Sequence, residues 1–572
     1  MKFLLNLALI AIAVSAFSQT PAFEKNAQLG SGINLGNMFE APSETAWGNP
    51  FRDEYIERIA ALGFDHIRVP IRWETAERSQ ATAPYTIKPE FLDRIRHVVD
   101  LALEHKLHVI INMHHHEALF EDPDGQRERF LAMWQQIAQH FSGYPDSLLF
   151  ELLNEPNGNL TAEKWNTLLA DGIRTIRETD PNRFLVIGIA EWGGLGGLSK
   201  LILPDDGRLI LTIHYYNPFS FTHQGADWVS NSDTWLGTRW NDTESERMAV
   251  QSEFSAAIQY RSAHNVPIHI GEFGAFSKAD LASRSRWTTY LARYFESQQF
   301  SWGYWEFSAG FGIYDPATQT YTQELVDALL HNPMPEPAAV NRTEIMKTGF
   351  ETDGDREGWM LNNSSGALST GNVSGGLFTI NIANGGTQGW HVQLAYPNLL
   401  FEEGKDYEIQ LRAKASANRP VSVYAGMNAD PWSAYSGYSG YTFESEMALY
   451  TLSFQMKYPT DAQARLVLDL GNSTSTVIID EISIYEVSLA TASPELKTTA
   501  SNFYPNPTND IIYFSTTEKN SPVYVYSLTG QLLLQKNTTG NHQLDLSALP
   551  AGQYILKWQN GQSICSGKLL KL

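Results

Sequence analysis

The chain has 572 residues, 43% hydrophobic and only 18% charged, which suits several globular domains and excludes a disordered polymer. Its 63 Asp and Glu against 41 Lys and Arg give a formal charge of −22, which repels phosphate backbones and excludes nucleic acid as a natural partner. A single cysteine, Cys565, excludes an intramolecular disulfide and cysteine-zinc chemistry, so the fold must rest on its hydrophobic cores.

At the N-terminus, MKFLLNLALIAIAVSAFSQT places Lys2 before a short apolar stretch and small residues near Ala16 and Ser18. That pattern predicts a secretory signal peptide over residues 1–18 rather than a membrane anchor. No later segment is apolar for long enough to span a bilayer.

From about residue 30 to 330 short apolar runs alternate with helical patterns. Strands are expected at Gly32–Gly36, His66–Pro70, His108–His114, Leu148–Glu155, Phe184–Glu191, Leu209–Tyr216, Pro267–Gly274 and Phe300–Phe307. Runs without polar alternation suit parallel strands covered on both faces. Between them, RDEYIERIAALG places Tyr55, Ile56, Ile59 and Leu62 on one helical face and stops at Gly63. Eight such units over some 300 residues match the size of a TIM barrel. A doubly wound dinucleotide fold would need a Gly-rich turn after its first strand, and GGLGG at 193–197 reads instead as a loop.

The prolines of NPMPEPAAV mark a linker over 333–340. Alternating runs such as VSVYAGM and TVIIDEISIYEV then predict a β-sandwich over 341–488. A second linker, 489–502, leads to a small β module over 503–572. The expected fold class is α/β: a (β/α)8 TIM barrel over 22–332, with two C-terminal all-β sandwich modules.

The active site of a TIM barrel lies at the C-terminal ends of its strands. Those ends gather Arg68, His114 with His115, Asn154 and Glu155, His214 and Tyr216, Glu272 and Trp305. A lone histidine or glutamate there is usually a packed or salt-bridged residue; six strand ends contributing together point to chemistry. Glu155 and Glu272, after strands four and seven, can act as acid/base and nucleophile in glycosidic cleavage. Arg68 and Tyr216 are suitable donors to keep Glu272 ionised. His114, His115 and His116 cannot all converge on one ion from a regular strand, because successive residues alternate sides. No metal is therefore expected at this site.

GINLGNMFEAP, IRVPIRW, NMHHH, FELLNEP, IHYYNPFSFTHQGADW, IGEFGAFSKAD and YWEFSAGFGIYD resemble the endoglucanase-type members of glycoside hydrolase family 5. The resemblance covers about residues 25–330. It implies a retaining hydrolase with Glu155 as acid/base and Glu272 as nucleophile. Arg68, His114, Asn154, His214, Tyr216 and Trp305 would form the supporting shell. Asn37, Glu40, His115, His223, Trp228 and Phe311 sit in the matching loop motifs as substrate-binding residues, Glu40 with the alternative of a simple loop charge.

The sandwich resembles family 4-like carbohydrate-binding modules. Trp432, Tyr435 and Tyr438 are its glycan candidates, while Trp359 and Trp390 are divided between core and surface. A structural calcium ion there is left open; no catalytic cofactor is expected. FYPNPTND, SLTGQ and LPAGQY resemble the C-terminal sorting domain of type IX secretion, which implies outer-membrane secretion machinery as a partner.

The sequence thus implies a secreted monomer, extracellular or attached to the cell surface, that hydrolyses a β-linked polysaccharide, first of all β-1,4-glucan. A β-mannanase or multi-specific glucan/mannan hydrolase is the alternative substrate reading. A non-catalytic surface glycan-binding protein and a metal-dependent hydrolase are the alternatives of other classes.

Overall fold

The computed structural model describes residues 19–490, 503–514, 522–527, 532–537, 543–560 and 563–572. The signal peptide expected at 1–18 and most of the linker expected at 489–502 lie outside the described residues. Eight parallel strands close a barrel: β1 Ser31–Asn34, β2 His66–Val69, β3 His108–Asn112, β4 Leu148–Glu151, β5 Leu185–Ile187, β6 Leu209–His214, β7 Ile268–Phe273 and β8 Ser301–Tyr304. Nearly every strand residue is buried, as strands sandwiched between helices and a filled interior must be.

The helices are α1 Pro21–Leu29, which precedes the first strand, and, around the barrel, α2 Glu54–Leu62, α3 Pro89–Glu104, α4 Glu117–Glu121, α5 Pro123–His140, α6 Ala162–Thr179, α7 Phe219–Thr222, α8 Glu244–His264, α9 Leu281–Ser297 and α10 Gln323–Leu330. Tyr55, Ile56 and Ile59 form the buried stripe of α2, and Gly63 ends it with a left-handed φ of 95°. Thr243 and Glu246 close a reciprocal capping box at the start of α8.

Helix α1 is absent from the sequence expectation, and its role is to plug the barrel. Ala22 and Leu29 join Ile110, Leu149, Phe184, Val186 and Ile210 in one apolar cluster inside the strands. Asn26 ties this plug to the Ile268 carbonyl at 3.0 Å and to the Ser301 hydroxyl at 2.8 Å.

Several expected strands are longer than the observed ones. The run Leu148–Glu155 leaves the ladder at Glu151, although the Leu152 and Asn154 N–H groups still donate to the Val186 and Met113 carbonyls. At Glu155 the backbone turns with φ 44°, a left-handed conformation uncommon for a residue with a side chain. The seventh strand carries a register irregularity between Ile270 and Phe273, which brings Glu272 beside His214 on the interior face.

The β-sandwich pairs a six-stranded and a five-stranded antiparallel sheet around its own core. The segment expected as a free linker at 333–340 is strapped to the barrel instead. Ala338 N–H donates to the Asp242 carbonyl at 2.7 Å, and Arg247 donates to the Pro335 carbonyl at 2.9 Å. The described residues through Ser488 accordingly form one compact unit, and those from Leu489 onward form another. The second unit holds two small antiparallel sheets around Phe503, Ile512, Val523, Val525, Leu556 and Trp558.

If α1 is a structural plug, Leu29→Ala should destabilise the barrel by about 2–5 kcal/mol, the usual loss for a fully buried leucine. A urea-unfolding midpoint unchanged from the parent chain would show that the plug is dispensable.

Candidate active site

Arg68 is fully buried at the upper end of β2. A guanidinium with no water must have every donor answered. Its Nε and Nη2 form a two-pronged pair with Glu151 at 2.5 and 2.8 Å, Nη1 donates to Asn34 at 2.8 Å and Glu272 at 2.7 Å, and Nη2 also reaches Asn154 at 2.7 Å. Because Arg68 holds the Asn154 oxygen, the Asn154 amide nitrogen is left to face the cleft. Asn34 in turn donates to the Gly271 carbonyl at 2.9 Å, the residue just before Glu272.

Glu272 receives Arg68 on Oε1 and the Tyr216 hydroxyl, at 2.9 Å, on Oε2. Its Oε2 also lies 3.5 Å from His214 Nδ1, and the same nitrogen lies 2.7 Å from Glu155 Oε1. One carboxylate oxygen from each glutamate and the His214 nitrogen all fall within 4.8 Å of one another. Among the described residues this trio also has the spacing of a metal site. The His214 ring hydrogen-bonds to Glu155 and stands within ion-pair distance of Glu272.

The two acids are pushed in opposite directions. Burial raises Glu272, but His214, the Arg68 guanidinium and the Tyr216 hydroxyl together outweigh it and hold the group below the usual carboxylate value. Burial also raises Glu155, His214 only partly offsets that, and the Glu272 charge adds to it, so Glu155 stays above the usual value. Burial disfavours the imidazolium of His214, yet Glu272 and Glu155 overcome this and raise it. Two carboxyl groups whose environments push them apart in this way suit the division of labour that acid-assisted displacement needs.

His114 stacks on Trp305 at 5.7 Å with planes 12° apart. The Asn112 oxygen accepts from the Ile71 N–H at 2.9 Å, so its amide nitrogen is the donor to His114 Nδ1 at 3.1 Å. That leaves the His114 proton on Nε2. Burial holds His114 well below its ordinary value and brings His115 and His223 to about 4, so these rings are neutral hydrogen-bonding groups near neutral pH. Of the remaining triple, His116 is buried beside the Met113 sulfur, away from the ring pair of His114 and His115.

The loop residues divide. Asn37 is half-buried beside the cleft with φ 63°, and Trp228 is 59% exposed against Phe276 and Phe311. His223 packs on Tyr216 at 5.0 Å. Glu40 departs from the expectation of a substrate contact. It is 1% exposed, and its carboxylate is occupied by the N–H groups of Asn37 and Met38, so it holds the turn that presents Asn37. Phe311 likewise departs from it: the ring is buried against Tyr216, His223 and Trp228 and backs the residues that face the cleft.

Sequence reading missed Glu151, Asn34, Trp47 and Trp192. Glu151 and Asn34 sit inside apolar strand runs, where no local signal separates a buried ion partner from a strand residue. Trp47 lies edge-on to His115 at 6.0 Å. Trp192 is 64% exposed on a loop with three consecutive positive φ angles, Glu191, Trp192 and Gly193. A Cβ on Gly193 would come within 3.3 Å of Glu155 Cγ and 3.4 Å of the His214 ring, so only a bare backbone packs this closely behind the acid. An exposed tryptophan followed by two glycines after strand five is the signal that could have found it.

In the sandwich Trp359 is core, its indole donating to Thr348 at 3.1 Å, whereas Trp390 is half exposed. Trp432 lies exposed under the Arg465 guanidinium at 4.5 Å, and Tyr438 is exposed beside Tyr424. Tyr435 does not fit a free glycan platform, since its hydroxyl is committed to Asp461 at 2.8 Å and its ring to Tyr458.

Comparison with known proteins finds the cellulase family, glycosyl hydrolase family 5, over residues 30–310. A carbohydrate binding domain matches 344–476 and a secretion system C-terminal sorting domain matches 502–571. Endoglucanase H of Acetivibrio thermocellus is 35% identical over 316 residues, covering 54% of this chain; the chain spans only 33% of that relative's length. Endoglucanase A of Ruminococcus albus is 30% identical over 352 residues, covering 54% of this chain and 92% of its own. Among solved structures, endoglucanase Cel5A of Thermotoga maritima is 47% identical, covers 54% of this chain and 99% of its own, and superposes with a TM-score of 0.53. The same protein is described in complex with mannotriose and with cellobiose. With its barrel, its buried arginine and its two glutamates in these positions, the chain belongs to glycosyl hydrolase family 5.

Proposed function

We propose that the protein is a secreted, retaining endo-β-1,4-glycanase acting on cellulose-type or mixed-linkage β-1,4-glucan. The observation that carries this reading is the pair of glutamates at the barrel mouth, with carboxylate oxygens within 4.8 Å and with Glu155 pushed up while Glu272 is held down. Carboxylate oxygens this close leave no room for a water between the second carboxylate and the sugar, which favours double displacement over inversion.

In the first step Glu272 attacks the anomeric carbon while Glu155 gives its proton to the glycosidic oxygen, and the leaving chain departs as an alcohol. Glu155 then takes a proton from water, which attacks the glycosyl-enzyme ester and restores Glu272. The amide nitrogen of Asn154 is free to hold the sugar 2-hydroxyl, because Arg68 engages its oxygen. Trp305 offers a stacking plate backed by His114. Trp192, whose N–H donates to the Pro156 carbonyl next to Glu155 in the chain, is suited to the departing side of the sugar chain. The exposed Trp432 and Tyr438 of the sandwich suit contact with polymer, and the sorting module suits export across an outer membrane.

The relatives named endoglucanases support a glucan substrate. The mannotriose complex of Thermotoga maritima Cel5A favours a second reading, in which the same cleft also accepts mannan.

A panel of carboxymethyl-cellulose, lichenan, xyloglucan, glucomannan and galactomannan, with product lengths measured, tests the reading. Internal cleavage of the first two is expected, and a chain inert on all five would be a binding protein. Glu272→Gln should lower kcat at least about a thousand-fold with the fold intact; near-normal turnover would remove the nucleophile assignment. In kcat/KM against pH, the acid limb should lie below the usual carboxylate value, following Glu272. Activity should be lost as pH rises through the raised value of Glu155. Glu155→Gln should abolish that alkaline limb on an aryl glycoside whose leaving group needs no proton, and a limb that persists would assign it elsewhere.

A further inference from the structure

The 215–243 segment between β6 and α8 carries His223 and Trp228, and its two ends face different parts of the molecule. At the inner end, His223 packs on Tyr216, whose hydroxyl donates to Glu272. At the outer end, Lys457 of the sandwich donates to the Trp235 carbonyl at 2.9 Å and to the Thr238 hydroxyl. Partial burial brings the half-buried Lys457 ammonium down to about 8. Ser453 meets Ser245 at 3.3 Å, and the Ala338 and Pro335 backbone is tied to Asp242 and Arg247. These contacts from beyond the barrel all fall on residues 235–247.

The outer and inner ends are joined by packed groups. Gln224, fully buried, donates to the Thr238 carbonyl at 2.9 Å and accepts from the Gly237 N–H at 2.9 Å. The Trp235 ring lies edge-on to Phe219 at 5.9 Å, and Phe219 stacks on His223 at 4.0 Å with planes 19° apart. Residues 235–238 are thus linked to His223 through its neighbour Gln224 and through Phe219.

We propose that the sandwich braces the catalytic cleft: Lys457 is a positioning residue that fixes the 219–238 loop and so sets where His223 and Trp228 meet the sugar chain. The sandwich is then part of the catalytic unit, in addition to any hold it takes on polymer. A module that only tethers the enzyme to insoluble substrate would leave hydrolysis of short soluble chains untouched; a brace would not.

The test uses the full chain and compares Lys457→Met and Lys457→Arg with the parent. Native-state hydrogen exchange of peptides within 219–238 needs no turnover, and exchange about tenfold faster is expected in Lys457→Met. On cellohexaose, which rests on the substrate reading above, KM should rise about 3- to 10-fold with kcat within about twofold. Lys457→Arg should restore most of both effects, and Thr238→Val should reproduce them from the barrel side. Unchanged exchange in this loop overturns the brace, and so does faster exchange with unchanged KM. A parent chain that cleaves no oligosaccharide would defeat the substrate reading instead, and the exchange alone then decides the brace.

Discussion

One buried cation organises the barrel mouth. Arg68 has no solvent to fall back on, so Glu151, Glu272, Asn34 and Asn154 must surround it. Removing one partner from such a pair typically costs about 3–5 kcal/mol, because the remaining charge stays buried. The same guanidinium orients the Asn154 amide and depresses Glu272, so structural necessity and chemistry act through a single group. The three carboxylates at the mouth can share this space only because Arg68 and His214 stand among them.

That arrangement needs departures from barrel regularity. The irregularity in β7 turns Glu272 inward beside His214. A Cβ on Gly271 would lie 2.5 Å from the Thr212 hydroxyl and 3.1 Å from His214 Nε2, so glycine opens the space in which the histidine ring stands between the acids. Below, α1 and its apolar cluster close the other end of the barrel, where no chemistry is needed. Rigidity beneath the site and strain above it are complementary parts of one design.

The barrel was legible because parallel strands covered on both faces must be apolar throughout, and eight such runs spaced by amphipathic helices leave few other folds. The cluster at the barrel mouth was legible because polar residues ending apolar runs stand out, as Asn154, Glu155, His214 and Glu272 do. Partnership was not legible. Glu40 and Glu155 are both loop glutamates in motif-rich segments, yet one is consumed by the N–H groups of Asn37 and Met38 and the other is held for substrate. Likewise NPMPEPAAV has the composition of a tether, and only the hydrogen bonds to Asp242 and Arg247 reveal a strap. Composition describes what a segment can do alone; burial and pairing depend on the fold that forms around it.

The left-handed backbone at Glu155 has a consequence for how the protein can change. A side chain bearing Cβ is held there against a local preference of order 1–2 kcal/mol, and Pro156 narrows the conformations open to it further. Glycine would relax that turn. Loss of the acid by drift at this position would therefore be rewarded with a firmer fold, and only selection for turnover opposes it. If Glu155 is the proton donor proposed above, activity and durability pull in opposite directions at this one residue.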